Sequence, residues 1–333
     1  MGCFSSNGLS TNETNKNYII KSNNLSNKNG DIEKDNKEVE SNKVAYKNEI
    51  HLTYVTESKG MCHIFGEDFV KNNENNIELV INGIPNKLVA DHELIEGENK
   101  IILKIKQKLT YISYMFYNCK NLKDINDLEY LDISEIKSFE GMFSCCDLLT
   151  NIVALRNWDI SKVNNFKCMF GGSFLSDITP LKNWNFSNAD NLYGMFLGCN
   201  FLSDISPLEN WNVSNVTIFD FMFGYCSSLS DITPLKNWNI SNAISLEGMF
   251  HECSKLSDVT PLKDWNVSKV TNFGQMFRGC SSISDIVPLT KWNLLNGKNF
   301  NSMFLGCKLS GREKTEEWNI PDEAYTILFL NNF

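Results

Sequence analysis

The amino-acid sequence predicts a repeat solenoid of about eight coils, each 26 or 27 residues long, preceded by a small N-terminal β domain. The first observation is a Met-Phe pair that recurs from Met115 to Met303 at spacings of 27, 27, 26, 27, 27, 27 and 27 residues. The second is a longer phrase that is complete over residues 229–253 and returns almost unchanged over 256–280. It begins Leu-Ser-Asp-x-Thr-Pro-Leu-Lys-x-Trp-Asn and closes on Met-Phe-x-x-Cys. Composition alone cannot produce so regular a period, which is typical of stacked coils.

The chain divides into four segments. Residues 1–48 contain eleven Asn and seven Lys without hydrophobic periodicity, which predicts a disordered tail. Residues 49–110 carry a β pattern, and residues 111–320 hold the repeat. Residues 321–333 follow the point where the repeat decays, and we expect them to form a C-terminal cap.

Short strands are predicted in the N-terminal β domain. Ile50, Leu52 and Tyr54 alternate with polar residues, as a half-buried strand requires. The run 77–81 followed by Asn-Gly predicts a strand that enters a type I′ hairpin, and Pro85 places the return strand at an edge. A further strand is expected over 101–106. We expect this domain to cover the otherwise exposed apolar end of the first coil.

The first residues of the chain fit the pattern for N-myristoylation on Gly2, with Ser6 as the required hydroxyl residue. One myristoyl chain binds a bilayer only marginally, so palmitoylation of Cys3 would have to supply the second signal. A chance match of six residues is an equally weighted alternative. The sequence has no secretory h-region and no apolar run of about 18 residues, so it predicts no spanning helix.

The residues that recur in every coil are expected to form internal columns rather than a binding stripe, because an indole or Phe at each turn buries a large apolar surface. We expect the indoles to stack on one another. These structural columns include Trp158, Trp184, Trp211, Trp238, Trp265, Trp292, Met222, Phe223, Met249 and Phe250.

Three expectations concern the rest of each coil. The run Leu-x-Asp-Ile is predicted to be a short strand that ends at the following Pro. The segment 246–253 spaces its apolar residues at i, i+3, i+4 and i+7, which predicts a short helical turn. The Asp of each Leu-x-Asp-Ile run must be solvated or accept backbone N–H groups, because neighbouring carboxylates repel. Calcium bridging is a less favoured alternative, since one carboxylate per coil falls short of six convergent oxygens.

Seven of the eleven cysteines occupy one repeat position, four residues after the Met. Neighbouring coils lie close enough for disulfides, but Ser173 interrupts the series, so reduced thiols that fill the core are favoured. Zinc is disfavoured because no Cys-x-x-Cys occurs. This column comprises Cys119, Cys146, Cys199, Cys226, Cys253, Cys280 and Cys307.

The repeat resembles the BspA-like leucine-rich repeats, and within them the Met-Phe branch known as a repeat of unknown function. The resemblance rests on Trp-Asn-Val-Ser-x-Val-Thr-x-Phe-x-x-Met-Phe-x-x-Cys-Ser-Ser, which occurs over 211–228 and 265–282, and covers about residues 111–320. It implies a leucine-rich-repeat-like solenoid with short parallel strands and short helical turns. Relatives are often surface proteins that bind matrix or host proteins, or uncharacterised interaction modules. The resemblance brings no catalytic residues with it.

The sequence favours a non-enzymatic protein-binding scaffold. Nucleotide, zinc and hydrolase motifs are missing, the net charge of −9 disfavours nucleic acid, and no cofactor is implied. The partner surface is expected among the variable residues before and after Met-Phe, with Asp220, Phe221 and Tyr225 as candidates. We expect a cytoplasmic monomer, held at a membrane if Gly2 and Cys3 are acylated. The alternative is a cell-surface adhesin, which disulfides in the native protein would favour.

Overall fold

A computed structural model describes residues 46–309 and Trp318. Gly2, Cys3 and most of the predicted tail therefore lie outside the described residues, as does the predicted C-terminal cap. The described residues all belong to one compact unit.

The N-terminal part contains two antiparallel sheets and one short helix. The larger sheet has the strand order β4-β3-β6-β1-β7, and the smaller one pairs β2 with β5. The helix α1 lies between β2 and β3 in the chain. The elements are β1 (Glu49–Thr56), β2 (Gly60–His63), α1 (Glu67–Asn73), β3 (Ile77–Ile81), β4 (Ile84–Lys87), β5 (Asp91–Leu94), β6 (Gly97–Ile105) and β7 (Leu122–Asp124).

The predicted strands of this part are confirmed. The alternating apolar side chains of β1 are buried. Asn82 and Gly83 have φ angles of 48° and 83°, the positive values that a type I′ turn needs. Pro85 lies in β4, which is an edge strand. The helix α1 was not predicted, because it is only seven residues long and buries just Phe69 and Asn73.

The β domain and the first repeat unit share one sheet and one core. The strand β7 belongs to the first repeat unit and pairs with β1, with Tyr54 opposite Leu122. The ring of Phe65 lies 5.9 Å from that of Phe116, the first Phe of the Met-Phe series. Residues of the β domain thus cover the apolar end of the first unit.

Each of the first seven repeat units contains a short 3-10 helix where the sequence predicts the end of a strand, and the corresponding part of the eighth unit lies outside the described residues. That strand prediction is wrong for all units except the first, whose copy is β7. Proline occupies the first turn of the third to seventh of these helices, where its fixed φ fits and no N–H is required. The 3-10 helices are Asn126–Tyr130, Val153–Leu155, Thr179–Leu181, Ser206–Leu208, Thr233–Leu235, Thr260–Leu262 and Val287–Lys291.

The recurring Asp caps the start of these helices. In the third unit the Asp177 carboxylate accepts the N–H of Thr179 at 2.8 Å, and Asp231 accepts that of Thr233 at the same distance. These hydrogen bonds lower the pKa of both carboxyl groups. The expectation that this Asp column accepts backbone N–H groups is confirmed.

The predicted helical turn around Met-Phe is wrong. Over residues 246–253 the chain forms a series of turns. The N–H of Met249 donates to the carbonyl of Leu246 within the unit, whereas the N–H of Gly248 donates to Gly274 in the next unit. Because alternate N–H groups point to the neighbouring unit, the segment cannot continue as an α-helix, in which every N–H bonds within the helix.

This alternation requires positive φ at two positions of the segment, one residue before the Met and three residues after it. In the sixth unit these are Gly248 at 57° and Glu252 at 58°. Positive φ angles recur at both positions in all eight units, beginning with Tyr114 and Asn118 in the first. Isolated parallel bridges then link each unit to the next, from Ser138 to Asn299, four residues before each Met.

The interior consists of side-chain columns that also hydrogen-bond between units. The Phe rings of the Met-Phe pairs stack continuously at 5.5 to 5.9 Å between ring centroids. Each indole N–H from Trp158 to Trp292 donates to a Leu carbonyl of the preceding unit, as that of Trp238 does to Leu208 at 3.0 Å. The expected indole stack is found at Trp211 and Trp238, 6.3 Å apart, but Trp158 packs on Phe rather than on a second indole.

The cysteines of the repeat are free thiols and serve as hydrogen-bond donors. Cys226 Sγ donates to the Phe196 carbonyl at 3.2 Å, and Cys253 Sγ to Phe223 at 3.1 Å. Burial raises the pKa of these thiols. The column is thus reduced, as favoured from the sequence, and it also satisfies buried carbonyls. Taken together, the described part of the repeat region is a repeat fold of turns, isolated bridges and 3-10 helices.

Candidate binding surface

The turns around Met-Phe place two residues inward and then two outward. In the fifth unit Met222 and Phe223 are buried, as are Phe219 and Cys226. The positions between them form the outward side of the turns, where Asp220 and Phe221 are partly exposed, Tyr225 is exposed and Gly224 is buried. All three candidate partner residues from the sequence therefore occur on this outward face.

The structure brings these candidates together with residues of neighbouring units. The Phe221 ring lies 6.1 Å from Tyr193 and 5.8 Å from His251. The Tyr225 ring, which is 39% exposed, lies 4.9 Å from His251. We call this group the aromatic-acidic surface, and it comprises Tyr193, Asp220, Phe221, Tyr225, Glu247 and His251.

Two aromatic residues of the surface have backbone conformations that favour glycine. Phe221 has φ 52° and Tyr225 has φ 59°, in the left-handed region that costs an L-residue about 1–2 kcal/mol. The ring of Phe221 lies on Gly248, where an added Cβ would come within 2.2 Å of it. The aromatic side chains are thus present at an energetic cost to the fold, which is common at functional sites.

The charged groups of the surface are partly desolvated. The Asp220 carboxylate accepts the N–H of Glu247 at 3.0 Å. Burial raises the pKa of Asp220, and the neighbouring charge of Glu247 raises it further. Burial, together with the nearby charge of Arg278, lowers the pKa of His251 to about 4, so its imidazole is neutral at physiological pH. His251 is only 7% exposed, and in the described part of the chain its Nδ1 has no hydrogen-bond partner.

A second group of polar residues occupies the same outward face nearer the N-terminus. The Tyr114 hydroxyl donates to Glu140 at 2.6 Å, and Lys167 Nζ lies 2.9 Å from the same carboxylate oxygen. Lys167 also lies over the Tyr193 ring, 5.9 Å from its centroid. Clefts of about 520 and 610 Å³ adjoin Tyr114 on either side. The hydrogen bonds lower the pKa of Glu140 despite its burial.

The two groups are built on nearly identical sequences. We call residues 138–143 (Ser-Phe-Glu-Gly-Met-Phe) the first SxEGMF segment and residues 245–250 (Ser-Leu-Glu-Gly-Met-Phe) the second. In the first, Asn165 of the next unit donates to Glu140 at 3.2 Å, and in the second Asn272 donates to Glu247 at 2.9 Å. The same local frame therefore presents a carboxylate at both places.

A family model described as "Mycoplasma protein of unknown function, DUF285" matches residues 110–233 and again 230–326. The chain belongs to the DUF285 family. The two matches together cover most of the chain and coincide with the repeat region. No curated protein and no solved structure matches the chain.

Within the described residues of this DUF285 protein, no group of three or more His, Cys, Asp or Glu could hold a metal ion. No helix in the same part of the chain is long and apolar enough to cross a membrane.

The sequence did not single out Tyr193, His251 or the first SxEGMF segment as part of a surface. Tyr193, Asp220 and Glu247 share one repeat position, two residues before Met, which an alignment of the units would have grouped together. The sequence could not show that this position faces outward, because it predicted a helix there.

Proposed function

We propose that this DUF285 protein is a non-enzymatic scaffold that binds another protein through the outward face of its Met-Phe turns. The supporting observation is the aromatic-acidic surface, where Phe221 and Tyr225 occupy left-handed positions that glycine fills in several of the other units. Strained, partly exposed aromatic side chains are poor for stability but suit an interface, where Tyr and Phe are enriched.

The finer assignment of the repeat belongs to the same proposal. We infer a BspA-like, leucine-rich-repeat-like solenoid, because the period of 27 residues and the parallel bridges between successive units suit stacked coils. Such a stack gives an extended surface on which neighbouring units jointly contact a partner. The inward columns are nearly the same in each unit, whereas the outward positions differ, as expected if only the latter contribute to specificity.

Attachment to the inner face of a membrane is a separate part of the proposal. It rests on the sequence at Gly2 and Cys3, which lie outside the described residues. Intact-mass spectrometry of the native protein tests it. A myristoyl adduct that disappears in a Gly2→Ala variant is expected, and an unmodified N-terminus would rule out the attachment.

Site-specific photo-cross-linking tests the protein-binding function. A photoreactive phenylalanine analogue replaces Tyr225 in the full-length chain, expressed in its own cells. The matched control carries the same analogue at Val287, which is also exposed but lies on a 3-10 helix of another unit. We expect a discrete adduct from position 225 that is absent from position 287.

Identical cross-linking patterns from both positions would contradict the proposed surface. The complete absence of adducts from position 225, with the analogue shown to be incorporated, would contradict a scaffold function through this face.

A further inference from the structure

We infer that the aromatic-acidic surface binds an arginine-containing basic segment of a partner protein, with the guanidinium group placed between Glu247 and the rings of Phe221 and Tyr225. The inference rests on the proposed scaffold function and specifies the chemistry of its partner.

The first SxEGMF segment shows how this frame holds a cation. Glu140 accepts hydrogen bonds from the Tyr114 hydroxyl, and its charge is balanced by Lys167 at 2.9 Å. The ammonium of Lys167 in turn lies over the ring of Tyr193. The carboxylate, the cation and the two aromatic rings thus form one chain of contacts, and their residues come from four successive units.

The second SxEGMF segment keeps the frame but changes the partners. Phe221 stands where the first has Tyr114, so the donor hydroxyl is missing. Gly274 stands where the first has Lys167, so the cation is missing as well. Asp220 replaces Ser113 and adds a second carboxylate. Within the described part of the chain, neither Asp220 nor Glu247 forms an ion pair.

These changes select a cationic ligand. Two partly desolvated carboxylates close together gain most from a cation that can also donate hydrogen bonds. Aromatic rings beside them favour a guanidinium, which stacks on their faces, over a strongly hydrated ammonium. The buried imidazole of His251 is neutral, so it does not repel a cation, and its Nδ1 has no hydrogen-bond partner among the described residues.

The location of Arg278 limits the site on one side. Arg278 lies close enough to His251 to lower its pKa, so one positive charge of the protein borders the surface at the seventh unit. We therefore place the guanidinium at Asp220 and Glu247 rather than at Glu252. The rest of the basic segment would follow the outward face toward Tyr193.

Fluorescence anisotropy of the full-length chain with labelled peptides tests the inference. The probes are three peptides of equal length in which Gly alternates with Arg, with Lys or with Glu. We expect the Arg peptide to bind more tightly than the Lys peptide, and the Glu peptide not to bind. Raising the ionic strength should weaken the binding, because it depends on charge.

The double variant Asp220→Asn, Glu247→Gln keeps the size of both side chains and leaves an acceptor for the N–H of residue 247. This double variant should bind the Arg peptide with an affinity lower by about tenfold or more. The matched control Glu140→Gln changes the same repeat position in the first SxEGMF segment and should alter the affinity by less than about twofold. Circular dichroism spectra and melting curves verify that each variant is folded.

Several outcomes would overturn the inference. These are no binding of the Arg peptide, equal binding of the Glu peptide, or an unchanged affinity in the folded double variant. An altered hydrogen exchange of residues 1–45 in that variant would instead identify lysines of this chain's own N-terminal segment as the occupant, which also overturns it. Each of these results leaves the scaffold function standing if residue 225 still cross-links to a discrete partner.

Discussion

The two SxEGMF segments share a backbone conformation and a Glu, but among the described residues only the Glu of the first forms an ion pair. In the first, Glu140 is paired with Tyr114 and Lys167. In the second, Glu247 accepts a hydrogen bond from Asn272 and lies near the Asp220 carboxylate, and within the described residues it forms no ion pair. The difference shows that one repeat frame can hold its Glu in an internal ion pair or leave it without one among the described residues, depending on a few side chains of the neighbouring units.

The largest expected effect distinguishes the glycines beneath the two aromatic rings. An added Cβ would lie 2.5 Å from the Tyr114 ring at Gly141 and 2.2 Å from the Phe221 ring at Gly248. Tyr114 is held by Glu140, whereas Phe221 has no hydroxyl to hold it. Gly141→Ala should therefore cost about 3 kcal/mol of unfolding free energy and Gly248→Ala about 2. Urea unfolding measures both, and a reversed order would show that Phe221 is the more rigid ring.

The next largest effect is a pH dependence of stability that arises from His251. This residue directly follows the second SxEGMF segment, whereas Ser144 follows the first. The pKa of His251 falls from 6.5 to about 4 on folding. Its contribution to stability is therefore complete above pH 6.5 and is lost as the pH falls toward 4, because the unfolded chain takes up the proton first. We expect wild type to lose about 2 kcal/mol more than His251→Leu over this range.

Leucine is the matched substitution because Leu197 occupies the equivalent position in the fourth unit. Melting temperatures of wild type and His251→Leu across this pH range provide the measurement. Parallel pH profiles would show that His251 titrates normally and is not desolvated.

A smaller change in the free energy of unfolding is expected when either of the two carboxylates is replaced. Glu140→Gln removes a charge that Tyr114 and Lys167 stabilise, and should cost about 1–2 kcal/mol. Glu247→Gln removes a charge that repels Asp220, and its effect should lie within about 0.5 kcal/mol of zero. Chemical denaturation measures both. Equal losses would mean that Glu247 has a stabilising partner besides Asn272, which would weaken the proposed ligand site.

The smallest effect on stability is expected for Phe221→Gly. Glycine relieves the left-handed strain at φ 52°, by about 1–2 kcal/mol, and this gain should offset the lost contacts of the ring. The net change should lie within about 0.5 kcal/mol, while binding of the Arg peptide is lost. Tyr114→Gly is the comparison, since it also loses the hydrogen bond to Glu140. A large destabilisation by Phe221→Gly would identify Phe221 as a structural residue.

The strands of the β domain could be predicted because their cues are local. Alternation in β1, the Asn-Gly turn and the edge Pro each act over a few residues. The buried columns could be predicted because a strict period puts like side chains in one layer. The turns around Met-Phe could not be predicted. Apolar spacing at i, i+3, i+4 and i+7 is typical of a helix, but it also arises when pairs of residues alternate between inward and outward positions. Hydrogen bonds to the neighbouring unit decide between the two, and these are not local.

The candidate residues Asp220, Phe221 and Tyr225 were found from the sequence because they vary where the repeat is otherwise constant. The aromatic and acidic residues around them come from other units, at separations of about one period, so their proximity follows only from stacking.

By itself the sequence determined the number and length of the units, the identity of the core columns and the β pattern of the N-terminal domain. The tertiary structure decided which positions face outward and which carboxylates are paired. The physical reason is that the hydrophobicity of each residue and the repeat period are properties of the sequence itself. Backbone hydrogen bonds between units and charge pairing across them exist only once residues 26 or 27 apart are brought side by side.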